Sequence, residues 1–204
     1  MIYYLSIING IFPLILVVIL IMLFCIGSSI ALQYRCKTRC VGMSMTYTSY
    51  RLLQLNLHGS CELGAPPSTL PTVGTNLTDL TLKRKKVTVR ELGGCMGPIW
   101  PSYFKDCSSV IFMVDSSNIA QISSSCIQLL SVLSAEPLHS ASVLILFNKR
   151  DMPCTMSLIE VKSLFRMDDI IASATQPITI LELSARSGEG LQEVLSWLES
   201  ITVK

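Results

Sequence analysis

The sequence predicts an α/β fold with a mostly parallel sheet covered on both faces, carried by residues 62–204. Three observations lead there. Runs apolar at nearly every position recur at 109–114 and 141–147, as strands buried on both faces require, and 178–183 reads as a last strand. Between them lie stretches with helical spacing, 120–133 and 157–165, and alternation of strands with helices builds a parallel sheet. The chain has 204 residues, which is room for one such domain and an appendage.

The appendage comes first. Residues 1–34 carry no charge, and 11–26 are apolar at every position but Pro13. With its flanks this stretch is long enough to cross a bilayer as a helix. Pro13 sits near its start, where a missing N–H costs least, and no polar face is left for a helix on a globular surface. A signal peptide fits less well, because there is no basic n-region and residues 27–31 make a weak cleavage site. Arg35, Lys37 and Arg39 follow directly, and the positive-inside rule then places everything beyond residue 35 in the cytosol. The organisation expected is a membrane helix over 1–34, a juxtamembrane connector over 35–61 and the α/β domain over 62–204. A chain without residues 1–61 is expected in the cytoplasm.

Within the connector Leu53, Leu55 and Leu57 alternate and suit a short strand,. Residues 74–82 and 86–92 read as a hairpin around the basic turn Lys83-Arg84-Lys85-Lys86,. The last element, 190–202, is amphipathic, with Leu191, Val194, Leu195 and Leu198 on one face,.

Charge and cysteine content exclude two classes. All 14 acidic residues lie at or beyond Glu62, whereas residues 1–60 hold only Arg35, Lys37, Arg39 and Arg51, so the net +2 sums two unlike segments. A nucleic-acid binder shows a basic face with stacking aromatics; only residues 83–86 approach one, and no nucleic acid is expected as a partner. The eight cysteines are irregularly spaced with no CxxC, and several sit in apolar runs. They read as reduced thiols and not as a disulfide or zinc set.

The sharpest chemical signal is Val143-Leu-Ile-Leu-Phe-Asn148-Lys149-Arg150-Asp151, a buried strand that delivers N-K-x-D at its carboxyl end. Ligands of open α/β sheets bind at that end. Guanine offers two adjacent donors, N1–H and the 2-amino group, and the Asp151 carboxylate can accept both. Lys149 can lay its aliphatic stem along the base, and Asn148 can tie neighbouring loops together. After the strand at 178–183 comes Ser184-Ala185-Arg186, then Ser187-Gly-Glu-Gly190 and a helix. There the Ala185 N–H can donate to guanine O6.

Together with three further segments these residues resemble the Arf-like small GTPases. Pro71-Thr72-Val-Gly-Thr-Asn76 looks like their switch I. Arg90-Glu91-Leu92-Gly93-Gly94-Cys95 looks like switch II, normally W-D-[VL]-G-G-Q, and Pro98-Ile-Trp-Pro-Ser-Tyr-Phe104 like the helix that follows. The resemblance implies a P-loop NTPase-like parallel sheet, binding of GTP or GDP with Mg²⁺, and a switch that recruits effector proteins through residues 71–104. It assigns Thr72 and Glu91 to Mg²⁺ and the Gly94 N–H to the γ-phosphate. Asn148, Lys149, Asp151, Ser184 and Ala185 are assigned to guanine.

Three departures qualify that assignment. Glu91 replaces an Asp and is one methylene longer. Cys95 stands where the family has the Gln that orients the attacking water, so hydrolysis is expected to be very slow or absent. Before Thr72 the sequence holds no G-x-x-x-x-G-K-[ST], the loop whose backbone N–H groups and Lys cradle phosphates. Lys37-Thr38 follows Cys36 and not Gly, and the stretch from His58 to Thr72 is too short for a phosphate loop and its helix. The expected fold is therefore the small-GTPase sheet lacking its first strand, P-loop and first helix. Two functions follow: a guanine-nucleotide switch with weak or lost nucleotide binding, or a membrane-tethered pseudo-GTPase that uses the same surfaces without a nucleotide cycle.

If residues 1–34 span a bilayer, the chain resists alkaline carbonate extraction, and a tag after Lys204 is digested on vesicles that expose their cytosolic face. Release by carbonate, or a protected tag, overturns the membrane helix.

Overall fold

In the computed structural model the described residues are 31–34, 74–82, 85–105, 107–153 and 155–202. Their six strands are β1 Ala31–Tyr34, β2 Thr75–Leu82, β3 Lys85–Leu92, β4 Ser109–Asp115, β5 Ser142–Asn148 and β6 Ile178–Glu182. They form one sheet in the order β2-β3-β1-β4-β5-β6. The three strands read at 109–114, 141–147 and 178–183 pair in parallel as β4, β5 and β6, and β2 and β3 make the expected antiparallel hairpin.

The helices are α1 Pro101–Phe104, α2 Ile122–Leu133, α3 Leu158–Phe165, α4 Met167–Ser173 and α5 Leu191–Thr202. Strand alternation sends successive side chains to opposite faces, and each face has its own core. Ile111 and Met113 of β4 and Leu144 and Leu146 of β5 pack with Leu191, Val194, Leu195 and Leu198 of α5. Val110, Phe112 and Val114 of β4 and Val143, Ile145 and Phe147 of β5 pack against α1–α4 through Phe104, Leu129, Val132, Val161, Phe165 and Ile170. Ser157 opens α3 with a complete capping box: its side chain accepts the Glu160 N–H, and the Glu160 carboxylate accepts the Ser157 N–H. The Ser157 hydroxyl, which donates to Glu160 Oε2 at 2.8 Å, and then the Ser157 N–H hold the Glu160 carboxyl below its ordinary range.

The sequence pattern did not separate α4 from its surroundings. Arg166 adopts a left-handed conformation (φ 50°) between α3 and α4, so one apolar stripe is broken in two. With only Met167 and Ile170 buried, α4 is too short to announce itself by periodicity.

Two expectations are corrected at β1. Residues 31–34, the end of the predicted membrane helix, are a strand. The sheet is also not short of a strand between β3 and β4, because β1 fills that place. It pairs antiparallel with β3, Ala31 opposite Leu92 and Tyr34 opposite Val89, and antiparallel with β4, Leu32 opposite Ile111. The physical reason is that a gap would leave two facing rows of interior N–H and C=O groups unpaired, which buried backbone rarely tolerates. Residues 1–30, the connector 35–61 with its Leu53–Leu57 alternation, and Thr72 lie outside the described residues. Among the described residues no helix is long and apolar enough to cross a membrane.

Phe147 is fully buried and meets the Phe165 ring edge-on, with centroids 5.7 Å apart. Phe147→Ala is expected to lower stability by about 3–5 kcal/mol, read as a lower urea midpoint with unchanged slope. A loss below about 1 kcal/mol contradicts this packing.

Candidate functional site

The parallel strands end together. Asp115 of β4 is in register with Asn148 of β5, and Phe147 of β5 with Glu182 of β6, so the three following loops meet at one edge. Asn148, 5% exposed, joins them. Its side-chain oxygen accepts the Lys149 N–H at 2.8 Å and the Ala185 N–H at 3.1 Å, while its amide nitrogen lies 3.4 Å from Met113 Sδ. Backbone bonds tighten the same junction: Ser116 N–H donates to Asn148 O at 3.1 Å, and Arg150 N–H to Leu183 O at 3.3 Å.

Lys149 has a left-handed backbone, φ 66°, uncommon for a residue with a Cβ. Its ammonium reaches Asp115 Oδ2 at 2.7 Å. Asp115 is buried, and its other oxygen accepts the Ser117 N–H at 2.9 Å and the Ser117 hydroxyl at 2.6 Å. On the opposite side Ser184 donates its hydroxyl to Asp151 Oδ1 at 2.6 Å and accepts the Ser187 N–H at 3.0 Å. The loop from Ser184 to Gly190 closes on itself, Ser184 N–H to Glu189 O at 3.0 Å and Gly188 N–H to Ser184 O at 2.8 Å. Gly190 has φ +78°, and a Cβ there would lie 2.2 Å from the Glu182 carbonyl oxygen, so the turn into α5 admits only glycine.

Of the residues singled out from sequence, Asn148, Lys149, Asp151, Ser184 and Ala185 come together at this edge. Asp151 is exposed, and Ser184 fixes the plane of a carboxylate able to accept two parallel N–H donors. That donor set fits a guanine edge. The Ala185 N–H, expected to face a ligand carbonyl, instead donates to Asn148.

Glu91 is buried at the end of β3, 3% exposed, with β1 between it and β4. Gly94 and Cys95 begin the 3-10 turn Gly94–Ile99. Just before it the Gly93 peptide is held twice: its N–H donates to Gly74 O at 2.9 Å, and its carbonyl accepts the Trp100 indole N–H at 3.1 Å. Glu91 is a hard oxygen donor suited to Mg²⁺, while Thr72, its companion in the expected pair, is outside the described residues. Among the described residues no group of three or more His, Cys, Asp or Glu side chains is arranged to hold a metal.

Sequence reasoning missed Asp115, Ser117 and Trp100. Asp115 carried a usable signal, since it closes a buried strand at the same edge as Asn148. Trp100 carried none, because an indole bond to a carbonyl seven residues back is set by the turn between them. Arg90, inside the region read as an effector surface, lies over the Tyr103 ring at 4.9 Å.

Known proteins resemble this chain in sequence and in fold. Residues 60–202 match the ADP-ribosylation factor family. The chain is 56% identical over 160 residues to human ADP-ribosylation factor-like protein 16, covering 78% of this chain and 81% of that one. Against ADP-ribosylation factor-like protein 1 of Drosophila melanogaster it is 31% identical over 160 residues, covering 74% and 87%. The solved structure of the small GTPase Arl6 BBS3 from Trypanosoma brucei, with bound GppNp, superposes with a TM-score of 0.63 at 20% identity, over 80% of this chain and 94% of that one. That likeness shows the fold.

Asn148→Ala removes the acceptor of two backbone donors and is expected to destabilise by about 1–3 kcal/mol for each donor left buried. Hydrogen exchange at the Ala185 amide should quicken, and Asn148→Asp, which keeps an acceptor oxygen, should retain most of the protection. Unchanged exchange at Ala185 in Asn148→Ala contradicts the tie between the two loops.

Proposed function

The chain belongs to the ADP-ribosylation factor family, and from that premise we propose that the edge built by Asn148, Lys149, Asp151, Ser184 and Ala185 is a guanine-base site in a protein whose hold on the phosphates is weak. The observation that carries the reading is the 2.6 Å bond from Ser184 to Asp151. It holds a carboxylate ready for the two donors of guanine, beside a lysine stem and in a loop closed by its own backbone.

The weak phosphate side rests on separate support. The sequence before Thr72 has no glycine-rich Lys-Ser/Thr loop. The strand in the place beside β4 runs antiparallel to it, so its carboxyl end, from which a phosphate loop would start, faces the far edge of the sheet. Each charge-assisted bond that is missing removes about 1.5–3 kcal/mol, or one to two powers of ten in affinity at about 1.4 kcal/mol per tenfold. Mg²⁺ supplies charge neutralisation between phosphates when bound, and Thr72 and Glu91 are the residues that would hold it. With Cys95 in place of a water-orienting Gln, hydrolysis is slow. The output is effector binding through residues 71–104, where Arg90 and Tyr103 stack, and the apolar stretch 11–26 that precedes β1 is the membrane tether.

A second reading has one observation in its favour. The Ala185 N–H is already satisfied by Asn148 and the Lys149 ammonium by Asp115, so the edge is complete without a ligand. That suits a tethered interaction module with no nucleotide cycle.

Amide spectra of the full chain in detergent micelles with Mg²⁺ separate these. Guanine-base recognition gives saturable shifts around Asp151 and Ala185 with GMP, GDP and GTP alike, at dissociation constants no tighter than about millimolar, and Asp151→Ala removes them. Micromolar GTP binding far tighter than GMP overturns the weak phosphate side. Shifts that survive Asp151→Ala, or no shifts at all, overturn the base site in favour of the second reading.

A further inference from the structure

We infer that Asp115 is the positioning residue of this edge, holding Lys149 stretched across it so that the lysine stem forms a fixed platform for a planar ring. The inference rests on the guanine-base reading for the identity of that ring, and on the geometry alone for the coupling of the two residues.

Lys149 is fixed at both ends. At the backbone, the Asn148 side-chain oxygen accepts its N–H at 2.8 Å and the residue sits at φ 66°, a conformation that costs about 1–3 kcal/mol unless its surroundings impose it. At the tip, the ammonium meets Asp115 Oδ2 at 2.7 Å. Between these points the side chain remains 32% exposed, so part of it stays open to a ligand while its two ends are held. A lysine otherwise loses about 1.5–2 kcal/mol of rotamer freedom when a ligand immobilises it. Here that ordering is made in advance by the ion pair, which is how preorganisation favours binding.

Asp115 is suited to act as an anchor. Its side chain is 2% exposed, and Ser117 fills its second oxygen with two donors at 2.9 and 2.6 Å, so the carboxylate cannot swing out to follow a mobile lysine. An exposed ion pair contributes little. One whose acid is fixed and desolvated imposes geometry, because loss of the lysine leaves an uncompensated buried charge.

The test uses the full chain in detergent micelles, with Asp115→Asn, which keeps acceptor and size, Lys149→Met, which keeps the stem without its anchor, and the double variant. The first readout needs no nucleotide: a lysine ammonium in a short ion pair exchanges slowly enough to give a proton–nitrogen cross-peak. That signal, identified by its absence in Lys149→Met, is expected in the parent and lost in Asp115→Asn. The second is titration with GDP and Mg²⁺. Both single variants should weaken GDP by about tenfold, equivalent to about 1.4 kcal/mol, and the double variant no further. An ammonium signal absent from the parent or untouched by Asp115→Asn overturns the inference, as does a double variant in which the two losses add. If the parent binds no GDP while the signal behaves as expected, the coupling stands and the guanine-base reading falls.

Discussion

One buried amide sets the geometry of the functional edge. Parallel strands deliver their loops to the same end of a sheet, but register alone does not fix where those loops go. Asn148 does so by accepting N–H groups from the residue after it and from Ala185, 37 positions later in the chain. One consequence is the left-handed turn at Lys149, and with it the direction in which that side chain leaves the sheet. Another is the place of the Ser184–Ala185 segment, whose serine then reaches Asp151. An apolar residue at 148 would leave two buried donors unpaired, and the position is therefore polar inside a strand that is otherwise apolar.

The parts of the fold legible in the sequence were those whose cause is local. Strands β4 and β5 are continuous apolar runs because both of their faces are covered, whereas β6, half-buried at the edge of the sheet, is interrupted by Thr179 and Glu182 and was marked by its place after a helix. The hairpin of β2 and β3 and the closing helix α5 carried their own turn and stripe. The convergence of N-K-x-D with Ser-Ala was legible for the same reason: each follows a readable strand, so parallel order brings them together.

What escaped depends on distance in sequence. No pattern within Ala31–Tyr34 marks it as a strand, because it is one only by virtue of the unpaired edges of β3 and β4. An uncharged neighbourhood drew it into a longer apolar segment. Asp115 reads in isolation as a polar residue at a strand end, and its role appears only when Lys149, 34 positions later, is seen to reach it. The Ala185 N–H was assigned outward because its inward acceptor is likewise remote in sequence.

These internal bonds bear on how such an edge persists with a weak ligand. A ligand stabilises the folded state by RT ln(1 + [L]/Kd), which is about 0.4 kcal/mol when its concentration equals Kd. A site with millimolar affinity therefore draws almost nothing from its nucleotide at lower concentrations, and its loops must be held by the protein itself. Every polar group that converges here is so held: Asn148 by two backbone donors, Lys149 by Asp115, Asp115 by Ser117, and Asp151 by Ser184. A base edge that waited for guanine to satisfy it would carry unpaired buried donors whenever it was empty, at about 1–3 kcal/mol each. Internal satisfaction removes that penalty but makes each new ligand bond an exchange for an existing one, which lowers the net gain on binding. Rigidity without ligand and the low affinity proposed for it thus have one origin, and both follow from where Asn148 and Asp115 place their oxygens.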